Sequence, residues 1–184
     1  MSTAAYITAL TIGVFSVTMA KSYADDNVTE LQKTPVMVAA PVVDPLVKYR
    51  NAKELTQQEL IELLAAVGFE GKGLRTAWAV VMKESRGRPV AHNDNINTGD
   101  NSYGLFQINM IGGLGHDRLV KFQERFGIKT KAELFNPVVN AQAAYYMTKQ
   151  GTDWGSWGLG SNAYDGTAAE PLIDKWLKQY PSKS

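Results

Sequence analysis

The amino-acid sequence predicts a mainly α fold, a helical domain that carries a short β-strand and loop region. Three observations point there. In residues 54–184, apolar side chains recur at helical spacing in five segments, most of them with recognisable cap residues. Between the second and third segments lies a stretch, His92 to Ser102, that is dense in Asn and Asp and has no helical period. Gly104 to Asn109 then alternates apolar and polar residues, and Tyr103 to Asn109 is expected to form a short strand or turn-strand.

Along the chain, residues 1–20 contain no Asp, Glu, Lys or Arg, and Ala4 to Ala20 is largely apolar. Residues 1–24 therefore read as an N-terminal signal peptide, a membrane anchor or a buried core helix; Ser22-Tyr23-Ala24 offers small residues for cleavage before Asp25. Residues 25–53 read as a Pro-containing linker, because Pro35, Pro41 and Pro45 interrupt every short apolar run. The domain itself is expected over 54–184, long enough for one core. Its first helix opens at the capping box Thr56-Gln57-Gln58-Glu59, carries Leu60, Leu63, Leu64 and Val67 on one face, and stops at Gly68. The second runs from Lys72 to about Ser85 and is ended by Arg86-Gly87-Arg88-Pro89. His116 to Phe126 is amphipathic. Asn136-Pro137 is an N-cap followed by proline at the first helical position, opening a helix to Gln150 that closes at Gly151. The last helix, Pro171 to Tyr180, sets Leu172, Ile173, Trp176, Leu177 and Tyr180 on one stripe.

Composition excludes several functions. Nineteen basic against eighteen acidic residues leave a net charge of +1, which supplies no general attraction to nucleic acid. Without any cysteine there is no disulfide, no thiolate metal site and no cysteine nucleophile. The two histidines, His92 and His116, form no zinc motif. The Asn/Asp-rich stretch departs from a calcium loop, with Thr98 at the glycine position and Gly104 at that of the bidentate Glu.

Glu84 is the residue whose setting suggests chemistry. It ends the second helix, with Ala77, Val80 and Val81 seven, four and three residues before it on the same side. An apolar face and the negative end of the helix dipole both disfavour a carboxylate's charge, and a carboxylic acid kept protonated can donate to a leaving oxygen. From this pattern alone a surface Glu at a frayed helix end is the plainer reading. Downstream, Gln107 and Asn109 fall on one side of the expected strand, and amides both donate to and accept from sugar hydroxyls.

Taken together, Glu84-Ser85, Tyr103-Gly104-Leu105-Phe106-Gln107-Ile108-Asn109, Asn136-Pro137-Val138-Val139-Asn140 and Ala144-Tyr145 give the chain a resemblance. It resembles the lysozyme-like superfamily, most closely the soluble lytic transglycosylase domains of bacteria and phages, over about Leu55 to Tyr164. The resemblance implies an α+β lysozyme-like fold whose strand and loop region lines a glycan cleft. It implies cleavage of the β-1,4 bond between N-acetylmuramic acid and N-acetylglucosamine in peptidoglycan, without a cofactor. By that resemblance Glu84 is the catalytic acid. Gln107 and Asn109 lie in the cleft, with Ser85, Ser102 and Tyr103 beside them as further candidate contacts. Ala163-Tyr164-Asp165-Gly166 is similar to a transglycosylase stretch whose Tyr lines the site, which adds Tyr164; Tyr145 is the remaining candidate, with one of Tyr145 and Tyr146 expected in the core. Trp154 and Trp157 are either core residues or platforms for sugar rings.

Where animal lysozymes carry a second carboxylate immediately before this Tyr-Gly, the chain has Ser102, and Asp100 lies two residues earlier. A retaining hydrolase needs that nucleophile, so the departure favours a lytic transglycosylase. A hydrolytic lysozyme, a non-catalytic glycan-binding module, and a structural part of a phage entry apparatus or secretion channel are the alternatives. The expected partners are glycan strands, the membrane if residues 1–20 are retained, and virion or secretion-machine components. The expected location is the periplasm or cell envelope, or a virion.

Overall fold

The computed structural model describes residues 43–159 and 170–182, all within one unit spanning Pro41–Ser184. The expected signal or anchor and residues 25–42 of the expected linker lie outside the described residues. The described residues form six α-helices: α1 Pro45–Lys48, α2 Gln57–Val67, α3 Gly71–Glu84, α4 Gly112–Phe126, α5 Pro137–Met147 and α6 Glu170–Leu177. The central element is α3, in which every residue from Thr76 to Met82 is buried. Helices α2 and α6 pack on it, and Ile173 and Trp176 of α6 are buried there.

Capping residues fix several boundaries. Thr56 Oγ1 accepts from Glu59 N at 3.2 Å, and Thr56 N donates back to Glu59 Oε2 at 3.0 Å, so α2 begins where the box predicts. Gly68, at φ 119°, ends it. Asn136 Oδ1 accepts from Val138 N at 3.0 Å, with Pro137 at the first helical position of α5. The end of α5 comes earlier than Gln150. Lys149 and Gln150 turn left-handed (φ 48° and 66°), and the Thr148 hydroxyl accepts from Gly151 N at 2.9 Å. Helix α4 begins four residues before His116, although Gly112, Gly113 and Gly115 are poor helix formers. Gly115 is needed there because a methyl group would overlap the Met110 carbonyl.

Part of the expected linker belongs to the folded body. Asp44 Oδ1 caps α1 at Leu46 N, Pro45 takes its first position, and Tyr49 is buried with its hydroxyl on Glu62. A second capping box, Thr130 with Glu133, opens a 3-10 helix at Lys131–Phe135 that the periodicity did not reveal.

Both boxes make stability depend on pH. Backbone N–H groups donating to the ionised carboxylates hold Glu59 and Glu133 below their ordinary value of 4.5. A depressed folded-state value means the stabilisation is full above the unfolded value and is lost as pH falls through the folded one. Thermal melts should therefore drop between about pH 5 and about pH 3. The double variant Glu59→Gln, Glu133→Gln should show a shallower slope; a slope equal to wild type would count against these caps.

Of the strand or turn-strand expected over 103–109, the structure has the turn-containing form, a hairpin. Three two-residue antiparallel strands, β1 His92–Asn93, β2 Ser102–Tyr103 and β3 Ile108–Asn109, lie in chain order. Gly104–Gln107 is the turn between β2 and β3, with Gly104 at φ 73° and Gln107 at φ 46°. Asn140 holds it: its Oδ1 accepts from Phe106 N, and its Nδ2 donates to Tyr103 O and Leu134 O, each at 2.9 Å. That amide is wholly buried and all three of these bonds go to backbone, so it replaces the ladder a longer strand would have made.

Candidate active site

The register of the sheet sorts its side chains. Asn93 pairs with Ser102 and Ser102 with Asn109, so these three form one cross-strand row. All three line an open cleft of about 490 Å³. Glu84, at the end of α3, lines it as well, together with Asp100, Gln107 and Ile108 from the loop and hairpin. Arg118 of α4, Met147 of α5, and Ser156 and Trp157 complete the lining.

Glu84 is anchored through its helix. The seven buried residues before Lys83 fix the axis of α3, and Ser85 Oγ donates back to Val81 O at 3.2 Å at the helix end. Arg88 Nε donates to Ser85 O at 3.0 Å, pinning the turn that follows. Ala77, Val80 and Val81 are buried in the core, as their spacing predicts. The carboxylate itself remains 23% exposed, and Lys83 Nζ lies 2.6 Å from Glu84 Oε1. This partner, the preceding residue in the chain, is not one the helical pattern singled out.

The two amides line the cleft in a different way from the one expected. Both protons of Gln107 Nε2 go to backbone carbonyls, Ala91 O and Gly104 O, at 3.0 Å each. Its carbonyl oxygen is the atom left to meet a ligand. Asn109 Nδ2 donates to Gly99 O at 2.6 Å while its Oδ1 accepts from Ile111 N at 2.9 Å. These side chains hold the loops that shape the cleft. Asp100 Oδ2 accepts from Thr98 Oγ1 at 3.0 Å, and Asp100 N donates to Asn95 O at 3.0 Å, which brings a second carboxylate to the cleft that contains Glu84.

Three of the expected contacts are elsewhere. Ser85 is 1% exposed and closes the helix end. Tyr103 falls on the other row of the hairpin, where its ring lies 4.5 Å from His92 and 5.3 Å from Phe135. Tyr145 packs edge-on against Phe69 at 5.0 Å, in the core side of α5, whereas Tyr146 is exposed under Arg125. Tyr164 lies outside the described residues. Of the two tryptophans, Trp154 is core and Trp157 lines the cleft, its Nε1 donating to Phe106 O at 2.8 Å. Arg118 and Met147 carry no site signal in the sequence, because each sits in a helix whose periodicity shows only a polar or an apolar face. Among the described residues, no three His, Asp or Glu side chains converge to hold a metal ion.

A mainly helical domain with a carboxyl group at a helix end, facing a small hairpin across an open polar cleft, has the build of a glycosidase. The chain belongs to the lysozyme-like domain family, whose model matches residues 61–159. Membership of this family points to a glycosidase activity related to peptidoglycan, with peptidoglycan as the implied substrate. No curated protein and no solved structure matches the chain.

Proposed function

We propose that the protein is a lytic transglycosylase that opens the bacterial wall by breaking the β-1,4 bond between N-acetylmuramic acid and N-acetylglucosamine. Glu84 donates its proton to the glycosidic oxygen as the bond from that oxygen to the anomeric carbon breaks. The 2-acetamido oxygen of the muramyl unit attacks the anomeric carbon and holds it. Glu84, now a carboxylate, removes the proton of the muramyl 6-hydroxyl, and that oxygen displaces the acetamido oxygen to close a 1,6-anhydro ring. Atoms and protons balance without water. The observation that supports this reading is Ser102 in the cleft-lining row, because a hydroxyl there is no substitute for an ionised nucleophile.

Asp100 favours a second reading, since it lines the same cleft. If it serves as the nucleophile, the enzyme is a hydrolytic lysozyme. Mass spectra of the soluble products from purified peptidoglycan separate the two. Anhydro-muropeptides, lighter by one water, are expected; reducing-end muropeptides would replace the proposal with hydrolysis and make Asp100 the next residue to change. A folded chain that releases nothing would point to a glycan-binding module. The proposal also places the domain outside the cytoplasm, exported or anchored through the uncharged residues 1–20, where the glycan is.

A further inference from the structure

The cleft contains a cation that this acid–base chemistry does not use. Arg118 is half-buried in the cleft wall, and its Nη1 donates to the Asn109 carbonyl. A guanidinium offers five N–H donors in a fixed fork and stays charged. Capping one carbonyl occupies one of the five. The neighbouring carbonyl, Met110 O, is capped by Lys131 Nζ at 2.6 Å, so a simple ammonium suffices for that task in this corner of the fold.

Among the described residues, the ion pairs are Lys48–Glu62, Lys83–Glu84, Lys149–Asp153 and Lys178–Asp174, and none involves Arg118. Burial lowers the pKa of the guanidinium below its ordinary value. Glu84 and Asp100 share the cleft without pairing with Arg118, and a partly desolvated charge is stabilised when a ligand brings a counter-charge into direct contact with it. Uncharged sugar hydroxyls need only dipolar partners, and Asn93 and Ser102 in the cleft row are of that kind. The fork geometry of Arg suits a carboxylate.

We propose that Arg118 is a specificity-determining residue that binds a carboxylate carried on the muramyl substituent, so that the cleft prefers acidic glycan over the same glycan with its carboxyl groups neutralised. The inference takes its substrate from the proposed function but concerns binding. It can therefore fail or succeed separately from turnover. The carboxylate has two sources, the lactyl group of strands stripped of peptide and the acidic residues of an attached stem peptide.

The test is binding by the full chain carrying Glu84→Gln, which removes turnover. The ligands are stripped strands, strands retaining stem peptides, and both after amidation of their carboxyl groups. Binding to at least one acidic ligand should be about tenfold tighter than to its amidated form. The ligand that shows the preference identifies the source of the carboxylate. Adding Arg118→Gln, which keeps a donor for Asn109 O without the charge, should bring the ratio near one. Arg118→Lys should retain part of it. A ratio near one for both ligands in Glu84→Gln alone overturns the inference without any change at Arg118, and so does a ratio that survives Arg118→Gln in a folded protein. If the wild type releases no products while the Arg118-dependent preference stands, the proposed activity falls and this inference holds.

Discussion

Glu84→Gln is expected to slow muropeptide release from purified peptidoglycan by roughly a hundredfold to ten-thousandfold, the range that a positioned general acid contributes. The amide has nearly the size of the acid but no proton of comparable acidity to give the leaving oxygen. The fold should be untouched. Glu84 closes a helix whose stability comes from the buried run Thr76 to Met82, and the pair lost with Lys83 is partly exposed. Such pairs contribute little. Melting temperatures of the two proteins should thus agree closely while the product assay differs by orders of magnitude. A Gln variant with more than about a tenth of wild-type activity would be outside that range and would remove Glu84 from the mechanism.

Gly104→Ala is expected to have the largest effect on stability. The residue sits at φ 73°, in the left-handed region, and a methyl group there would overlap both Asn140 Nδ2 and Leu134 O. Those two atoms bond to each other, and the same Nδ2 also donates to Tyr103 O. The side chain would therefore be forced into the centre of the contacts that hold the hairpin. The left-handed conformation costs about 1 kcal/mol, overpacking about 1–3 kcal/mol, and each buried polar group left unpaired about 1–3 kcal/mol. A combined loss of about 4 kcal/mol or more is a large part of the 5–15 kcal/mol typical of a domain. Gly99→Ala is the control, because Gly99 has a similar φ of 77° with nothing within 4 Å. It should show the conformational cost alone. Urea melts of both variants decide the matter; equal midpoints would mean that the Asn140 contacts do not hold the hairpin as described.

The same contacts explain what sequence pattern could and could not reveal. The starts of α2 and α5 were legible because their caps are local: Thr56 acts on Glu59, three residues away, and Asn136 on Val138, two residues away. The short helix at Pro45 and the 3-10 helix at Lys131 had comparable signals, in Asp44-Pro45 and Thr130–Glu133. There the proline reads equally as part of a linker, and five residues are too few to show a period. The hairpin was legible only as a strand or a turn-strand, without its pairing. Its turn is fixed by Asn140 across 34 and 37 residues and by the Trp157 indole across 51, and alternation over six residues looks the same in a strand. Glu84 could be found because helix spacing and family resemblance converge on it. Arg118 could not, since a basic residue on an amphipathic helix looks like any solvated face until the cleft is assembled around it.

The distance between the acid and the residue that shapes its opposite wall has a consequence during synthesis. A nascent chain that has emerged only as far as Phe135 contains Glu84, the whole hairpin and Arg118. It still lacks Asn140, the amide that satisfies the turn, and Trp157, which holds it from the other side. Vectorial emergence from the ribosome thus puts the proposed acid first and the parts that give it a formed cleft later. A truncated or stalled product ending before α5 carries Glu84 without the contacts that form the cleft around it.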